Sequence, residues 1–379
     1  MIKRAPDPEL GARLRSAKLR RVDSMKDAGE LMTWLGSRRP VLGVDTETTG
    51  LEWNCRLRTV QVGDGSAGWL IPWDDWAGLA REVLGKYAGR MAIWNAAYDV
   101  PVLARHGIHL PQHLVDDPML LAHLDDSSWS AAQKRRAEIH LDANAALLQE
   151  TLDAGMRRHG WGWDTVPYTW APAWMYGALD PVEAALMWEL YRPVAEAHAD
   201  VFGVLQASSW ALTRASMHGA RIDVEYAQTY GAALDDRAAE CLDTALQKWG
   251  LTSLGSSAAI AAILEADGVE LSARTASGAP SITKDVLQGL ADKHPLAALV
   301  LSYRHASKLR AAYVDGVLSR LGGDLVHPSI RAVGARTGRT SVSAPPLQQI
   351  PAGDPEPRRM FIPREGRVLL SVDMSAIEV

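Results

Sequence analysis

Cysteine, phenylalanine and long apolar runs are what this 379-residue sequence has least of. Its two cysteines, Cys55 and Cys241, lie far apart and form no CxxC pair, which leaves no basis for a disulfide framework or a cysteine zinc site. No apolar stretch approaches the roughly 20 residues of a membrane-spanning helix. The opening MIKRAPDPELGARLRSAKLRR is charged and lacks the apolar core of a secretion signal. These absences predict a cytoplasmic protein with no membrane partner. Abundant Arg and Ala beside scarce Lys and Phe hint at a high-GC genome and say nothing of chemistry.

What is present is globular: 47% hydrophobic and 22% charged residues, in a chain long enough for two cores. The fourteen tryptophans are expected to serve core and loop packing. The net charge of −5 argues against a general polyanion binder, but its distribution does not. Residues 303–367 carry eleven Lys/Arg against five Asp/Glu, so an acidic protein contains one basic segment. That is the charge pattern of a localised nucleic-acid track, and equally of a solvated basic face.

Residues 1–21 read as a polar, mobile arm. Ser24 with Asp27 resembles a capping pair, and Leu31, Met32 and Leu35 supply the apolar stripe of a short helix. VLGVDTETTGL reads as a strand entering a loop, TVQVGDGSAGWLIPW as two strands joined at GDGSAG, and MAIWN as a further strand before the helical AAYDVPVLARHG. Helices follow to about residue 200, MYGALDPVEAALMWELYRPVAEAHA being the most persuasive of them. From Val204 the text is mostly helical, with capped segments SSAAIAAILEAD and SITKDVLQGLA and the long basic-amphipathic HPLAALVLSYRHASKLRAAYVDGVLSRL. Strand-like text resumes at DLVHPSIRAV and RVLLSVD. An α/β domain over 22–200 and a second domain over 201–379 are the expected division.

Asp45 and Glu47 alternate along a strand end and share one face, with Thr46 on the other. WNAAYD carries Asn95 and Asp99 across a strand-to-helix junction, and MYGALD sets Tyr176 and Asp180 one helical turn apart. Four carboxylates on separate elements can converge on a pair of divalent cations. Two such ions about 4 Å apart clamp the attacking and leaving oxygens of a phosphoryl displacement. The histidines of RHGIHLPQH (His106, His109 and His113) sit in a Gly/Pro-broken loop without a fourth ligand and are expected to be solvated or packed.

DTETTGL, NAAYD and YGALD, in this order, resemble the three motifs of the DEDDy 3′→5′ exonucleases, and VDDPMLLAHLDD resembles the helix after their second motif. The resemblance covers about residues 22–200. It implies a ribonuclease-H-like mixed sheet, with Asp45, Glu47, Asp99 and Asp180 holding two Mg²⁺ or Mn²⁺. It further implies that Tyr176 positions the water, Leu51 wedges against the terminal base, and Asn95 contacts the DNA.

Three later stretches resemble the family A (DNA polymerase I-like) polymerases. WALTRASMHGARIDVEY resembles the start of their polymerase domain, and LVLSYRHASKLRAAYVDGVL resembles their thumb helix. RTGRTSVSAPPLQQIP resembles the TGRLSSxxPNLQNIP segment along the primer–template minor groove, with Thr340, Pro346 and Gln349 departing from the usual Leu, Asn and Asn. The resemblance implies DNA contacts by Arg304, Lys308, Arg310, Arg336, Arg339, Gln348 and Gln349. Arg339 can serve minor-groove acceptors or the backbone without reading sequence. SVDMSAIEV resembles polymerase motif A, common form DYSQIELR: Asp373 matches the metal-binding catalytic aspartate and Glu378 the residue that excludes a ribose 2′-hydroxyl, while Met374 and Ala376 depart. The GWGWDTVP and YGALD text is most similar to phage members, which would put the protein in a host cytoplasm.

The expected fold is therefore an α/β exonuclease domain followed by a mostly helical thumb and an incomplete α+β palm. Its partners would be a single-stranded 3′ end and primer–template duplex. Synthesis in this family needs a second palm aspartate and a fingers helix, for which no sequence follows Glu378. The expectation is a proofreading portion of a replicative polymerase that does not polymerise alone and exposes VLLSV as an aggregation-prone edge. The alternatives are one subunit of a split polymerase completed by a C-terminal chain, a non-polymerising DNA-binding fragment, or a stand-alone 3′→5′ exonuclease.

Overall fold

The structure is a computed structural model and describes residues 5–128, 130–275, 278–351 and 353–372. It divides into two compact units: Met1–His218 with Ser329–Val342, and Gly219–Pro328 with Ser343–Val379. No helix among the described residues is long and apolar enough to cross a membrane.

In the first unit α1 (Pro8–Ser16) leads into β1 (Lys18–Arg21) and α2 (Met25–Leu35). β2 (Leu42–Thr48), β3 (Leu57–Gly63) and β4 (Ala67–Pro72) follow, then α3 (Trp73–Lys86), β5 (Met91–Ala92) and α4 (Ala96–Arg105). β6 (Val115–Asp116), α5 (Pro118–Asp125), α6 (Gln133–His140), α7 (Leu147–His159), α8 (Ala171–Ala197) and α9 (Ala199–His218) follow. The six strands lie in the order β1-β4-β3-β2-β5-β6. β3 runs antiparallel to both of its neighbours, and the remaining pairs are parallel.

The polar arm expected over residues 1–21 is, from Asp7 onward, ordered helix and strand. Asp7 caps α1 by accepting from the Glu9 and Leu10 backbone N–H groups, and Pro8 occupies the first helical position, where its missing N–H costs nothing. KLRR then pairs in parallel with Ala67–Leu70. A polar strand is tolerated there because it forms the edge of the sheet, where charged side chains are an advantage. Ser24 caps α2 as the sequence suggests: its Oγ accepts from the Asp27 N–H, and the Asp27 carboxylate accepts in return from Ser24 Oγ and from the Asp23 N–H.

The apolar faces of β2, β3 and β4 (Leu42, Val44, Val60, Val62, Trp69, Ile71) pack with Leu84, Ile93 and Leu103 into one core. α8, buried along most of its length, packs across β2, β3 and β4. That approach is close enough to dictate a residue: a Cβ on Gly43 would lie 1.8 Å from the Pro181 carbonyl oxygen. α9 belongs to this unit too, with Phe202, Leu205 and Leu212 against the core under α8, so the division falls at residue 218 where the sequence suggests 200.

The second unit begins with β7 (Ala220–Ile222) and α10 (Val224–Trp249), followed by α11 (Ser257–Ala266), α12 (Lys284–Leu290) and α13 (Pro295–Leu309). Ser256 and Thr283 cap α11 and α12, the two capped helices read from the sequence. α13 continues the long amphipathic helix but widens into a π-helical turn over Arg310–Asp315 before α14 (Gly316–Leu318). β8 (Leu321–Gly322) and β9 (Leu325–Val326) join a small sheet, which β12 (Phe361–Ile362) closes in the order β12-β7-β9-β8; β10 (Ser329–Arg331) and β11 (Ser341–Ser343) pair with each other in a stretch that, through Val342, belongs to the first unit.

The strand expected at Val368–Val372 is not formed. These residues have no strand partner among the described residues, and Leu370 and Val372 are each 85% exposed. An apolar run becomes a strand only where a neighbouring strand and a covering layer receive it, and the described residues supply neither.

Candidate functional site

The sheet and α8 bring three of the four expected carboxylates together. Asp45 and Glu47 occupy alternate positions of β2, and Asp180 reaches them from α8. One oxygen from each of the three lies within 4.8 Å of the others. Gly43, two residues before Asp45, allows α8 to press its Pro181 backbone onto β2, and so sets this spacing.

Asp99, the fourth, stands on α4. It is 3% exposed and accepts a hydrogen bond at 2.6 Å from Oγ1 of Thr46, the residue between Asp45 and Glu47, near enough for its charge to act on both. α4 is itself anchored at its start. Asn95 adopts a left-handed backbone conformation (φ 61°), and the N–H groups of Asn95 and Ala96 both donate to the Asp117 carboxylate at 3.0 Å. The same carboxylate accepts from the Met119 N–H at 2.9 Å as the cap of α5. Asn95, expected at the DNA, keeps its Oδ1 buried without a hydrogen-bond partner among the described residues.

Electrostatically the cluster is costly when empty. Burial, then the charges of Asp99, Asp180 and Glu47, push the Asp45 carboxyl well above its usual range. Burial, then Asp180 and Asp99, do the same to Glu47. Burial, against the Thr46 hydrogen bond, pushes Asp99 up to about 7. Hard carboxylate oxygens this close suit a divalent cation, which would replace protons and relieve the repulsion. The residues present therefore fit the metal that the motifs imply.

Tyr176 lies one turn before Asp180. Burial and the Asp180 charge raise its phenol, so the hydroxyl stays protonated at neutral pH. Trp163 tilts against it with ring centroids 6.2 Å apart. The loop carrying Trp163 is tied to β3 by Arg58, whose Nη1 donates to the Trp163 and Val166 carbonyls at 2.7 and 2.9 Å while its guanidinium lies over Tyr168. Leu51, beyond the end of β2, is 84% exposed. His106 packs edge-on to Trp73 and bonds the Val102 carbonyl, a packing role as expected.

Two residues of the site are absent from the sequence reading. Lys134, on α6, is buried and bonds Asp180 Oδ1, and its ammonium lies 3.0 Å from Glu183 Oε2. Glu183, one turn after Asp180, is fully buried. The spacing of Asp180 and Glu183 placed both on one helix face and was a usable signal. Lys134 had none, since its partners stand 46 and 49 positions away.

In the second unit the expected DNA-contacting cations are partly committed elsewhere. Arg304 Nη1 donates to the Ile282 carbonyl at 2.7 Å, and Arg310 pairs with Asp235 at 3.0 Å and with Asp315. Lys308 and Gln348 are exposed, as is Gln349, whose carbonyl accepts from Tyr313. Arg336 and Arg339 are exposed between β10 and β11, in the Ser329–Val342 segment that belongs to the first unit. Asp373 and Glu378 lie outside the described residues.

Residues 224–379 match the family model described as DNA polymerase family A. The chain is similar to the family A DNA polymerases. The DNA polymerases of Mycobacterium phages D29 and L5 are each 25% identical to it over 94% of its length, and over 63% and 64% of theirs. The thermostable DNA polymerase I of Thermus aquaticus is 30% identical over 75% of the chain and 32% of its own length. In fold the chain is similar to the POL domain of Pol1 from M. smegmatis, solved with DNA primer-template and dNTP. That likeness has a TM-score of 0.63 at 19% identity and covers 92% of this chain and 59% of that one. The chain thus spans a little under two thirds of the phage polymerases it matches.

Proposed function

We propose that the first unit is a ribonuclease-H-like 3′→5′ exonuclease that removes nucleotides from a single-stranded DNA end, in a chain whose second unit is the thumb and part of the palm of a family A replicative polymerase. One observation carries the exonuclease reading. Carboxylate oxygens of Asp45, Glu47 and Asp180 gather within 4.8 Å, with Tyr176 one turn from Asp180.

Divalent cations bound there, two Mg²⁺ or Mn²⁺ held by Asp45, Glu47, Asp99 and Asp180, would stabilise charge on the scissile phosphate and favour the attacking hydroxide. The chain's own residues do the positioning. The protonated Tyr176 hydroxyl orients a water toward phosphorus. The water oxygen bonds to phosphorus as the 3′-oxygen of the preceding nucleotide leaves and takes up a proton, releasing a nucleoside monophosphate. Thr46 fixes Asp99, and exposed Leu51 wedges against the terminal base. Trp163 offers an aromatic face beside Tyr176 on which a base can stack.

The polymerase reading rests on the family match and on the basic balance of residues 303–367. It assigns primer–template contacts to Lys308, Arg336, Arg339, Gln348 and Gln349, a catalytic metal to Asp373, and ribose discrimination to Glu378. Whether a C-terminal chain completes synthesis is tested by primer extension with and without the remaining polymerase sequence of a phage relative.

The exonuclease is tested on a 5′-labelled single strand with Mg²⁺. The wild-type chain is expected to shorten it from the 3′ end, and Asp45→Ala to lose at least about 100-fold in rate, the scale of removing one preorganised electrostatic contact. Undiminished degradation by Asp45→Ala refutes the assignment.

A further inference from the structure

Inside the carboxylate cluster the fold has set a cation of its own. The Lys134 ammonium bonds Asp180 Oδ1, lies 3.0 Å from Glu183 Oε2, and sits 4.8 Å from the centroid of the Tyr176 ring. Glu183 is fully buried, and its second oxygen, Oε1, has no hydrogen-bond partner among the described residues. Gln133, the neighbour of Lys134 on α6, donates to the Asp180 carbonyl at 2.8 Å and reaches Glu183 Oε2 at 3.4 Å. The start of α6 is thus fastened to α8 across both acids.

This arrangement costs more than a purely structural pair needs to. A buried ion pair is seldom more stable than apolar packing of the same volume, and here a second carboxylate shares a single ammonium. The geometry suits exchange instead. An ammonium has three donors and lies within reach of two carboxylates, only one of which, Asp180, belongs to the three-oxygen cluster. A divalent cation drawing on Asp180 and an ammonium hydrogen-bonded to the same carboxylate repel each other strongly at such distances.

Building on the exonuclease reading, we propose that Lys134 is a resident counter-ion that competes with a divalent cation for Asp180, and that Glu183 receives its ammonium when the cation binds. Lys134 is then a positioning residue, acting through Asp180. With the site empty it neutralises part of the cluster and holds Asp180 in place. When metal enters, the ammonium stays inside the protein, on Glu183, and need not be expelled to solvent. The bond broken is a hydrogen bond to Asp180, the bond strengthened is the one to Glu183, and no charge is created or lost.

The test is Mn²⁺ binding to the whole chain after metal removal, read at pH 8 from the electron paramagnetic resonance of free Mn²⁺. Wild type, Asp45→Asn, Lys134→Met, Glu183→Gln and the double variant K134M/E183Q are compared. Lys134→Met is expected to bind Mn²⁺ about tenfold more tightly than wild type, a change of about 1.4 kcal/mol. Glu183→Gln, which confines the ammonium to Asp180, is expected to bind several-fold more weakly, on the order of 1 kcal/mol. In the K134M background Glu183→Gln loses most of that effect. Lys134→Met with unchanged or weaker binding overturns the proposal, as does a Glu183→Gln effect of equal size with and without Lys134. Should Lys134→Met fail to fold, Glu183→Gln decides alone, and unchanged Mn²⁺ affinity refutes the exchange. A wild-type chain that binds no Mn²⁺, or an Asp45→Asn variant that binds like wild type, refutes the metal site itself and with it the exonuclease reading.

Discussion

Replacing Thr46 by valine removes one hydroxyl from a buried site and little else. Thr46 Oγ1 donates to Asp99 Oδ1 at 2.6 Å, and both residues are less than 7% exposed, so no water stands ready to replace the donor. The size of the loss depends on whether Asp99 is charged. Burial pushes Asp99 up to about 7, so in a metal-free buffer it is mostly ionised at pH 8 and mostly neutral at pH 5.5. A hydrogen bond to a buried carboxylate contributes roughly 1.5–3 kcal/mol, and one to its neutral form about 1 kcal/mol. Asp99's folded-state pKa lies above its unfolded value, so its contribution is fully present below about 4 and is lost as pH rises through 7. Thr46→Val raises that pKa further and steepens the loss. The expected destabilisation is about 2 kcal/mol at pH 8 and about 1 kcal/mol at pH 5.5. Urea unfolding followed by tryptophan fluorescence measures it in the correct unit, because every tryptophan except Trp249 lies within residues 1–218. An equal loss at the two pH values, or less than about 0.5 kcal/mol at pH 8, would refute the reasoning.

Gly43→Ala drives a methyl group into the Pro181 carbonyl and is expected to cost about 3 kcal/mol in the same unfolding assay, with loss of the proposed exonuclease activity as α8 is pushed from β2. Asp117→Ala leaves three backbone N–H groups without their acceptor and is expected to cost on the order of 3 kcal/mol. Its signature is faster hydrogen exchange at the Asn95, Ala96 and Met119 amides, and unchanged exchange there would remove the anchoring role. Leu51→Ala is expected to leave stability within about 0.5 kcal/mol, since the side chain is 84% exposed. It should still raise the KM for a single-stranded end about fivefold, corresponding to about 1 kcal/mol of lost apolar contact, and an unaltered KM would dismiss the wedge.

Much of the first unit was legible because its signals are local. The β3–β4 hairpin announces itself as two apolar runs around GDGSAG, and Asp64 holds that turn by accepting from the Ser66 and Ala67 N–H groups. The alternation of Asp45 and Glu47 needs only the period of a strand. Edge strand β1 was illegible for the opposite reason. KLRR has no apolar period, and only β4, about fifty residues later, gives it a partner. Lys134 escaped in the same way, being one cation of a QKRR cluster whose meaning depends on α8. VLLSV misled in the other direction, because an apolar run declares a strand but cannot declare its neighbours. Arg304 and Arg310 show why charge alone is a weak guide to contacts: both answer to carbonyls and carboxylates of their own unit.

Asp117 has one further consequence. It receives the start of α4 and the start of α5 on a single carboxylate, so the two helices are indexed to each other without help from the segment that connects them. The nine residues between Arg105 and Val115 therefore carry little responsibility for where Asp99 stands. Evolution or an engineer can lengthen or decorate the exposed stretch 111–113 of that loop, leaving Ile108 and Leu110 in the core, and the distance from Asp99 to β2 should hold, whereas altering one oxygen-bearing side chain at its far end should not be forgiven.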